Sequence, residues 1–438
     1  MYTRNTMRLK RLAGSIILFL VVTVVTSPIV AQPLRSGSGP TDVAVVLRQL
    51  NSVGTFMMFT AHPDDENNSL LAKLAKGQGH RTVLLTATRG DGGQNEIGAE
   101  LFDGLAVLRT EELLAAHRLD GAEQYFTRAV DFGYSFSIEE TFSRWGREEV
   151  LGDMVRMIRT IRPEVMSAMS PSGRGGGQHH QASAVLAHEA YHAAADPNRF
   201  PEQISEGLRA WHAHKFYFSA GFPFGFGFGP PGFRRTDPDP DLTTVDLGGY
   251  DALLGTTYAE IGSRARGMHK CQGMSQLVAL PASAMGARFQ LVESIDSTLF
   301  ESEETSLFDG VDTSVQALAS FAGSNPPVSL TQALETIAGY STAALDQYKR
   351  NGLSGARLPI LNGLQAVREL RDSLAAMSLS EDAHWEIDFR LATKERQFVN
   401  AGLLVHSVHI EVLASDGLVV PGQTIDVSVL IANRGSVP

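Results

Sequence analysis

The sequence predicts an α/β domain with a doubly wound, mainly parallel sheet, followed by a helical region and the first strands of a β-sandwich. Between residues 54 and 218, apolar runs of strand length alternate with segments of helical spacing, which is the pattern of βαβ units. From residue 314 the apolar spacing is helical, and from Val405 it changes to the strict alternation of strands. The chain of 438 residues is long enough for two or three domains.

The composition limits the possible partners. Apolar residues make up 43% of the chain and charged residues 19%, which is ordinary for a globular protein. The net charge of −11 argues against a nucleic-acid partner, because phosphate binding needs basic patches. Cys271 is the only cysteine, so no disulfide can form within the chain.

Residues 1–32 predict a signal peptide. Basic residues precede an apolar core over residues 15–26, which is shorter than the ~20 residues of a membrane span. Small residues up to Ala31 offer a cleavage site. We expect export to the periplasm or the extracellular space, with no stable membrane span after cleavage. An uncleaved N-terminal anchor is the alternative.

The elements of the α/β domain follow from their patterns. The predicted strands are apolar runs that end in polar or glycine-rich residues, at 54–59, 82–88, 124–130, 164–169 and 215–218. The predicted helices around them have apolar residues near helical spacing, at 42–49, 70–76, 105–119, 148–160 and 181–195. In such a sheet, ligands bind at the carboxyl ends of the strands.

The rest of the chain is predicted more coarsely. Residues 221–232 alternate Phe, Pro and Gly, which fits either an aromatic lid over a sugar ring or a surface loop, and residues 233–242 resemble a linker. Residues 250–280 and 314–377 have helical patterns. Residues 405–412 and 424–431 resemble the opening hairpin of an immunoglobulin-like sandwich. Two strands cannot bury such a core, so we expect further strands beyond Pro438.

A histidine and three acids directly follow the first strand. Pro63 cannot donate to a sheet ladder, so the strand ends and leaves the sequence Ala-His-Pro-Asp-Asp-Glu at its carboxyl end. His62 and Asp65 can reach one ion, and imidazole with carboxylate suits Zn²⁺. Asp64 lies between them, where it could take a proton from a metal-bound water. The alternative is a solvated acidic turn before the next helix.

These motifs resemble those of the PIG-L (LmbE-like) zinc-dependent N-deacetylases, which implies a Rossmann-like fold. The resemblance runs from about residue 53 to residue 272. It includes the acidic motif at His62, the glycine-rich loop after Thr88, the Arg-Thr-Glu-Glu-Leu segment at Arg109 and a glycine-rich motif that ends in two histidines. A later segment, residues 266–272, resembles the family's His-x-Ser-Gln sequence, with Cys271 in place of the serine.

The resemblance implies the metal ligands and the catalytic residues. His62, Asp65 and His180 would bind Zn²⁺, with Fe²⁺ as the alternative ion, and Asp64 would be the base. In the family's His-x-x-His motif the second histidine, here His180, binds the metal, and the first, which stabilises the oxyanion, falls on Gly177. His179 is the nearest substitute for it, or an exposed residue at the start of a helix.

The resemblance also implies the substrate and its contacts. We expect removal of the acetyl group from an amino sugar, such as N-acetylglucosamine, or from a glycoconjugate. The residues expected to contact this substrate are Ser69, Arg89, Arg109 and Asp131. Asp131 is supported independently, because it follows the third predicted strand.

Two other functions remain as alternatives. His188-Glu-Ala-Tyr-His192 matches the H-E-x-x-H motif of metallopeptidases, although it lies two to three turns into its helix. A carbohydrate-binding pseudoenzyme is favoured only by the glycine at position 177. We expect a signal peptide at 1–32, a deacetylase domain at 41–235 with family-like sequence to about 275, a helical accessory region at 243–400, and truncated sandwich strands at 401–438.

Overall fold

The computed structural model describes residues 39–172, 177–220, 242–274, 286–301, 303–417 and 419–435. The predicted signal peptide and the segment rich in Phe, Pro and Gly lie outside the described residues. So does nearly all of the linker that follows this segment. The described residues form one compact unit.

Eleven strands are found in the described residues. They are β1 (Thr55–Thr60), β2 (Arg81–Thr86), β3 (Glu123–Phe126), β4 (Val165–Ala168), β5 (Lys215–Ser219), β6 (Thr243–Asp246), β7 (Tyr250–Asp251), β8 (Thr256–Thr257), β9 (Gly286–Ser294), β10 (Val408–Ala414) and β11 (Val427–Asn433).

Ten α-helices accompany them in the same part of the chain. They are α1 (Pro40–Leu50), α2 (Asn68–Ala72), α3 (Asp103–Asp120), α4 (Ile138–Trp145), α5 (Arg147–Ile161), α6 (Gln178–Ala195), α7 (Pro201–Ser205), α8 (Tyr258–Arg266), α9 (Val328–Ser373) and α10 (Glu381–Val405).

Seven strands form the main sheet, in the order β3-β2-β1-β4-β5-β9-β6. The first five are parallel, and β9 and β6 extend the edge in antiparallel pairing. The chain order reverses at β1, which lies between β2 and β4. Ligand sites of doubly wound sheets lie at such a reversal, outside the carboxyl ends of the strands. The predicted fold class is confirmed.

The central strand β1 is buried on both faces. All six of its residues are buried, which explains why its sequence is a continuous apolar run rather than an alternating one. Met57 and Phe59 pack in the core formed with α5 and α6. Phe56 and Met58 pack in the core on the opposite face, with Leu70 of α2.

The structure corrects two predictions for residues after 242. The segment 250–280 is not one helix: its described part contains the short hairpin β7–β8, helix α8 and a single 3₁₀ turn at Lys270–Gln272. The region predicted to be helical, 243–400, also contributes β6 and β9 to the main sheet. Strands β6, β7 and β8 are only two to four residues long, too short for an apolar alternation to be recognised.

Helices α9 and α10 pack on α1 around a separate apolar cluster that includes Leu47, Leu334 and Phe398. The buried ammonium of Lys394 donates to the carbonyls of Gln49 and Ser52, which tie the end of α1 to α10. Strands β10 and β11 pair antiparallel. Among the described residues, no helix is long and apolar enough to cross a membrane.

We expect one buried histidine to make stability depend on pH. His80 Nδ1 lies 2.7 Å from the Ser52 hydroxyl, and burial, with a smaller effect of Lys394, lowers the pKa of His80 to about 4. The unfolded chain binds a proton at an ordinary pKa near 6.5. Stability is therefore lost as the pH falls from about 6.5 to about 4, by up to ~3 kcal/mol.

Urea unfolding of wild type and His80→Gln between pH 4.5 and 7 tests this expectation. The variant should lose this part of the pH slope, whereas His384→Gln, on the less buried α10 surface, should keep it. An unchanged slope in His80→Gln would show that another group causes the dependence.

Candidate active site

The acidic motif forms a tight turn directly after β1. Asp65 folds back on this turn and accepts hydrogen bonds from the backbone N–H groups of Ala61 at 3.1 Å and His62 at 2.8 Å. Burial opposes ionisation of Asp65, but His180 and His62 beside it hold the pKa of its carboxyl well below the usual range. Asp65 is therefore an anion whose position is fixed by the backbone.

His62, Asp65 and His180 bring one ligand atom each to a common point. His62 Nδ1 lies 3.3 Å from His180 Nε2 and 3.5 Å from an Asp65 oxygen, and His180 Nε2 lies 3.0 Å from the other Asp65 oxygen. Ligand atoms around a tetrahedral Zn²⁺ with bonds of ~2.1 Å are about 3.4 Å apart. The donor set and its spacing therefore fit a zinc-like ion.

His179 and Asp131 lie near the second ring nitrogen of His62, Nε2. His179 Nδ1 lies 3.0 Å from His62 Nε2 and 3.5 Å from an Asp131 oxygen. Burial, together with His62, lowers the pKa of His179 to about 4, so its ring is neutral at pH 7. Metal-bound histidines commonly donate their second ring N–H to a hydrogen-bond acceptor, which fixes the ring orientation. His62, Asp131 and His179 could also form a ligand group of their own.

Asp64 is not part of either ligand group. The backbone of Asp64 has a φ of 100°, a conformation that residues other than glycine rarely adopt. Its carboxylate accepts a hydrogen bond from Arg109 at 3.2 Å. Burial and the neighbouring Asp65 raise the pKa of Asp64 to about 6, against the opposing effect of Arg109. A carboxyl group with this pKa can both accept and return a proton near neutral pH.

A cavity of about 570 Å³ opens over these groups. Its lining includes the His62, Asp64 and His180 side chains together with the glycine-rich loop after β2 and residues 131–135 after β3. These segments all follow strands of the main sheet, at the edge where the chain order reverses. The volume is in the range of small-molecule sites.

Residues 57–191 match the family model PIG-L, GlcNAc-PI de-N-acetylase. This span runs from β1 through α6 and contains the three candidate ligands and Asp64. The chain carries a PIG-L family domain.

Curated relatives have moderate sequence identity to this chain. The chain is 27% identical over 179 residues to mycothiol S-conjugate amidase of Streptomyces coelicolor, covering 38% of this chain and 60% of that protein. It is 28% identical over 212 residues to 1D-myo-inositol 2-acetamido-2-deoxy-alpha-D-glucopyranoside deacetylase 1 of Catenulispora acidiphila, covering 44% and 62%. The chain thus spans about three fifths of the length of these two relatives.

Another relative and one solved structure extend the comparison. The chain is 29% identical over 222 residues to 1D-myo-inositol 2-acetamido-2-deoxy-alpha-D-glucopyranoside deacetylase 2 of Saccharopolyspora erythraea, covering 44% of this chain and 77% of that protein. N,N'-diacetylchitobiose deacetylase from Pyrococcus horikoshii superposes weakly, with a TM-score of 0.39 at 17% identity, covering 56% of this chain and 88% of that chain.

Three of the four predicted substrate contacts do not line the cavity of the PIG-L domain. Ser69 is buried against α8, at Gly262. Arg89 is exposed, donates to Thr110 and covers the Phe126 ring. Arg109 is buried and donates to backbone carbonyls. Asp131 alone of the four lies in the cavity lining, as expected for a residue that follows β3.

A buried hydrogen bond between His269 and Glu66, behind the acidic motif, was not predicted from the sequence. His269 Nε2 lies 2.6 Å from Glu66 Oε1, and both side chains are fully buried. The other Glu66 oxygen accepts the backbone N–H of Asp64 at 2.9 Å. The resemblance of residues 266–272 to the family pattern indicates that this segment matters, but it does not predict which residue His269 contacts.

The H-E-x-x-H pair lies away from the cavity. His188 and His192 contact Glu293 of β9, and none of these three residues lines the cavity. The acid of the motif, Glu189, pairs with Arg147 at 2.7 Å. The peptidase alternative would need Glu189 to act as a free base, so this pairing counts against it.

We expect Arg109 to act by positioning the motif rather than by binding substrate. Its guanidinium donates to the Pro63 carbonyl at 2.6 Å, to the Gly90 carbonyl at 3.2 Å and to Asp64. A lysine cannot replace this fork. Arg109→Lys should lower zinc affinity about 10-fold and the free energy of unfolding by about 2 kcal/mol, measured by zinc titration and urea unfolding.

Arg118→Lys is the matched control, because Arg118 is exposed on the same helix. It should change neither quantity. If Arg109→Lys behaves like this control, the positioning role is wrong.

Proposed function

We propose that the chain is a metal-dependent N-deacetylase that hydrolyses the acetamido group of an amino sugar, with Zn²⁺ as the working ion and Fe²⁺ as the alternative. One observation carries the proposal: the segment that matches the PIG-L family model contains His62, Asp65 and His180 at ligand spacing and Asp64 beside them. The named relatives are an amidase and deacetylases of an acetamido sugar. Both names describe hydrolysis of an amide, which supports the reaction class.

His62, Asp65 and His180 would hold the ion. When bound, a zinc ion polarises a carbonyl group and lowers the pKa of water to about 7. Asp64 accepts a proton from the water that attacks the acetyl carbon, and the carbon–nitrogen bond breaks. The same carboxyl group, with its pKa near 6, returns the proton to the leaving nitrogen. Acetic acid and a neutral amine are the first products, and near neutral pH the proton of the acid passes to the amine, which gives acetate and an ammonium ion, so atoms and charge balance.

His179 is a positioning residue in this proposal. It contacts His62, and its second ring nitrogen, Nε2, is buried without a hydrogen-bond partner among the described atoms. The ring packs between Phe132 and Trp145, at centroid distances of 4.5 and 5.1 Å. This orientation directs its accessible nitrogen at His62 rather than at a substrate oxygen. It therefore supports the ligand more directly than the oxyanion role that the resemblance implied.

The cavity suits a sugar ring. Asp131 supplies a carboxylate for hydroxyl groups. Tyr134 lies in the cavity lining with 79% of its surface exposed, and its ring packs edge to face on Phe136 at 5.0 Å. An exposed aromatic ring beside a polar cavity offers a flat apolar surface for a sugar face. Export to the periplasm or the extracellular space is also proposed, and it rests on the pattern of residues 1–32.

We expect Asp64→Asn to separate chemistry from metal binding. The variant should retain the ion but lose at least ~10²-fold in acetate release from N-acetyl amino sugars, because an amide cannot accept the proton. His180→Ala should lose both the ion and acetate release. Metal content and acetate release from a panel of N-acetyl sugars, measured on the same samples, check both expectations.

Asp372→Asn makes the same chemical change on the exposed surface of α9 and should leave both quantities unchanged. Wild-type protein that binds zinc but releases no acetate from any sugar would contradict the hydrolase proposal and favour the carbohydrate-binding alternative. Full activity in Asp64→Asn would contradict the assignment of the base.

A further inference from the structure

Two histidines of α6 and a glutamate of β9 meet on the surface outside the cavity. His188 Nε2 lies 2.8 Å and His192 Nε2 lies 3.1 Å from the same oxygen, Glu293 Oε1. The two histidines are four residues apart, so they share one face of the helix. One ligand atom from each of the three residues lies within 4.8 Å of the others.

An irregularity in β9 places Glu293 on this face. In a regular strand, Leu291 and Glu293 would point to one side of the sheet and Val292 to the other. Leu291 packs with the core away from α6, and Val292 packs with the core that contains α6. The pairing of β9 with β5 shifts by one residue between Leu291 and Glu293. Such a bulge re-aims a side chain, and here it turns Glu293 toward α6.

We propose that His188, His192 and Glu293 form a second metal site, for Zn²⁺ or a similar divalent transition-metal ion. Two imidazoles and one carboxylate are a recurrent zinc ligand set that leaves a fourth position open. The nitrogen-to-oxygen distances need to open by only a few tenths of an ångström to reach the spacing of about 3.4 Å around zinc. All three side chains are between 31% and 56% exposed, so an ion has a path to the site.

Aromatic packing holds the ligands in place before an ion binds. The His188 ring packs on Phe216 and Phe218 at centroid distances of 5.2 and 5.7 Å. The His192 ring packs on Tyr191 at 5.1 Å. Ligands whose orientation is fixed by their surroundings bind a metal with less loss of conformational freedom.

The site is suited to holding an ion between α6 and β9 rather than to hydrolysis. Glu189, which would supply the base in an H-E-x-x-H peptidase, forms an ion pair with Arg147, and Arg199 lies 3.8 Å away. Glu189 is thus engaged by two cations and does not join the three residues around Glu293 Oε1. A bound ion would link the last turns of α6 to the antiparallel edge of the sheet.

Zinc binding to variants that lack one site or the other tests the proposal. Equilibrium dialysis against Zn²⁺ should give about two ions per chain for wild type, about one for His180→Ala and about one for His192→Ala. The double variant should bind none with comparable affinity. Zinc should raise the thermal unfolding midpoint of His180→Ala, and this shift should disappear when His192→Ala is added. Glu293→Gln, which preserves the side-chain shape, should lower affinity at the second site at least ~10-fold.

His409→Ala is the matched control, because His409 is a partly exposed histidine with a single carboxylate, Glu411, at 4.0 Å. It should leave the zinc stoichiometry unchanged. His192→Ala should also keep wild-type acetate release, which distinguishes this site from the proposed catalytic one. The proposal is overturned if His192→Ala and Glu293→Gln bind as much zinc, with the same affinity, as wild type.

Discussion

The strained backbone at Asp64 is the constraint on which the site depends. A φ of 100° at a residue with a side chain costs of the order of 1–3 kcal/mol and persists only where its surroundings enforce it. Arg109 holds the Pro63 carbonyl and the Asp64 carboxylate, and Glu66 accepts the Asp64 backbone N–H. This turn separates two consecutive carboxylates. Asp65 faces the histidines, while Asp64 faces the cavity with its pKa raised to about 6.

Residues far along the chain support this turn. Glu66 is fully buried beside His269, and burial opposes its ionisation, but His269 holds the pKa of its carboxyl well below the usual range. Asn68 links Glu66 to Asp120, at 3.0 and 2.9 Å. The acidic motif is therefore anchored to α3 and to the segment after α8, and not only to its own strand.

Helix α6 is a shared scaffold for both metal proposals. His180 lies in its first turn, close to β1, and His192 lies near its end, close to β9. Twelve residues of helix separate them, or about 18 Å, so the two sites cannot share an ion. Its small buried residues, such as Ala184, Ala187 and Ala190, let the helix pack closely on the sheet. The same packing that completes the core thus positions ligands at both ends.

The sequence by itself determined strands β1 to β5, five of the seven helices before β5 and the candidate ligands, because these are expressed in local patterns: apolar periodicity, a proline that ends β1 and a dense polar motif. The short helices α4 and α7 were not predicted. Only the tertiary structure decided which side chains meet. Arg109 resembled a substrate contact in the motif but is buried under it, and β9 joins a region predicted to be helical to the main sheet. Glu293 reaches α6 through a bulge that no periodicity reveals. Such contacts join residues 46 to 105 positions apart, so they depend on how the layers pack and not on any local preference of the chain.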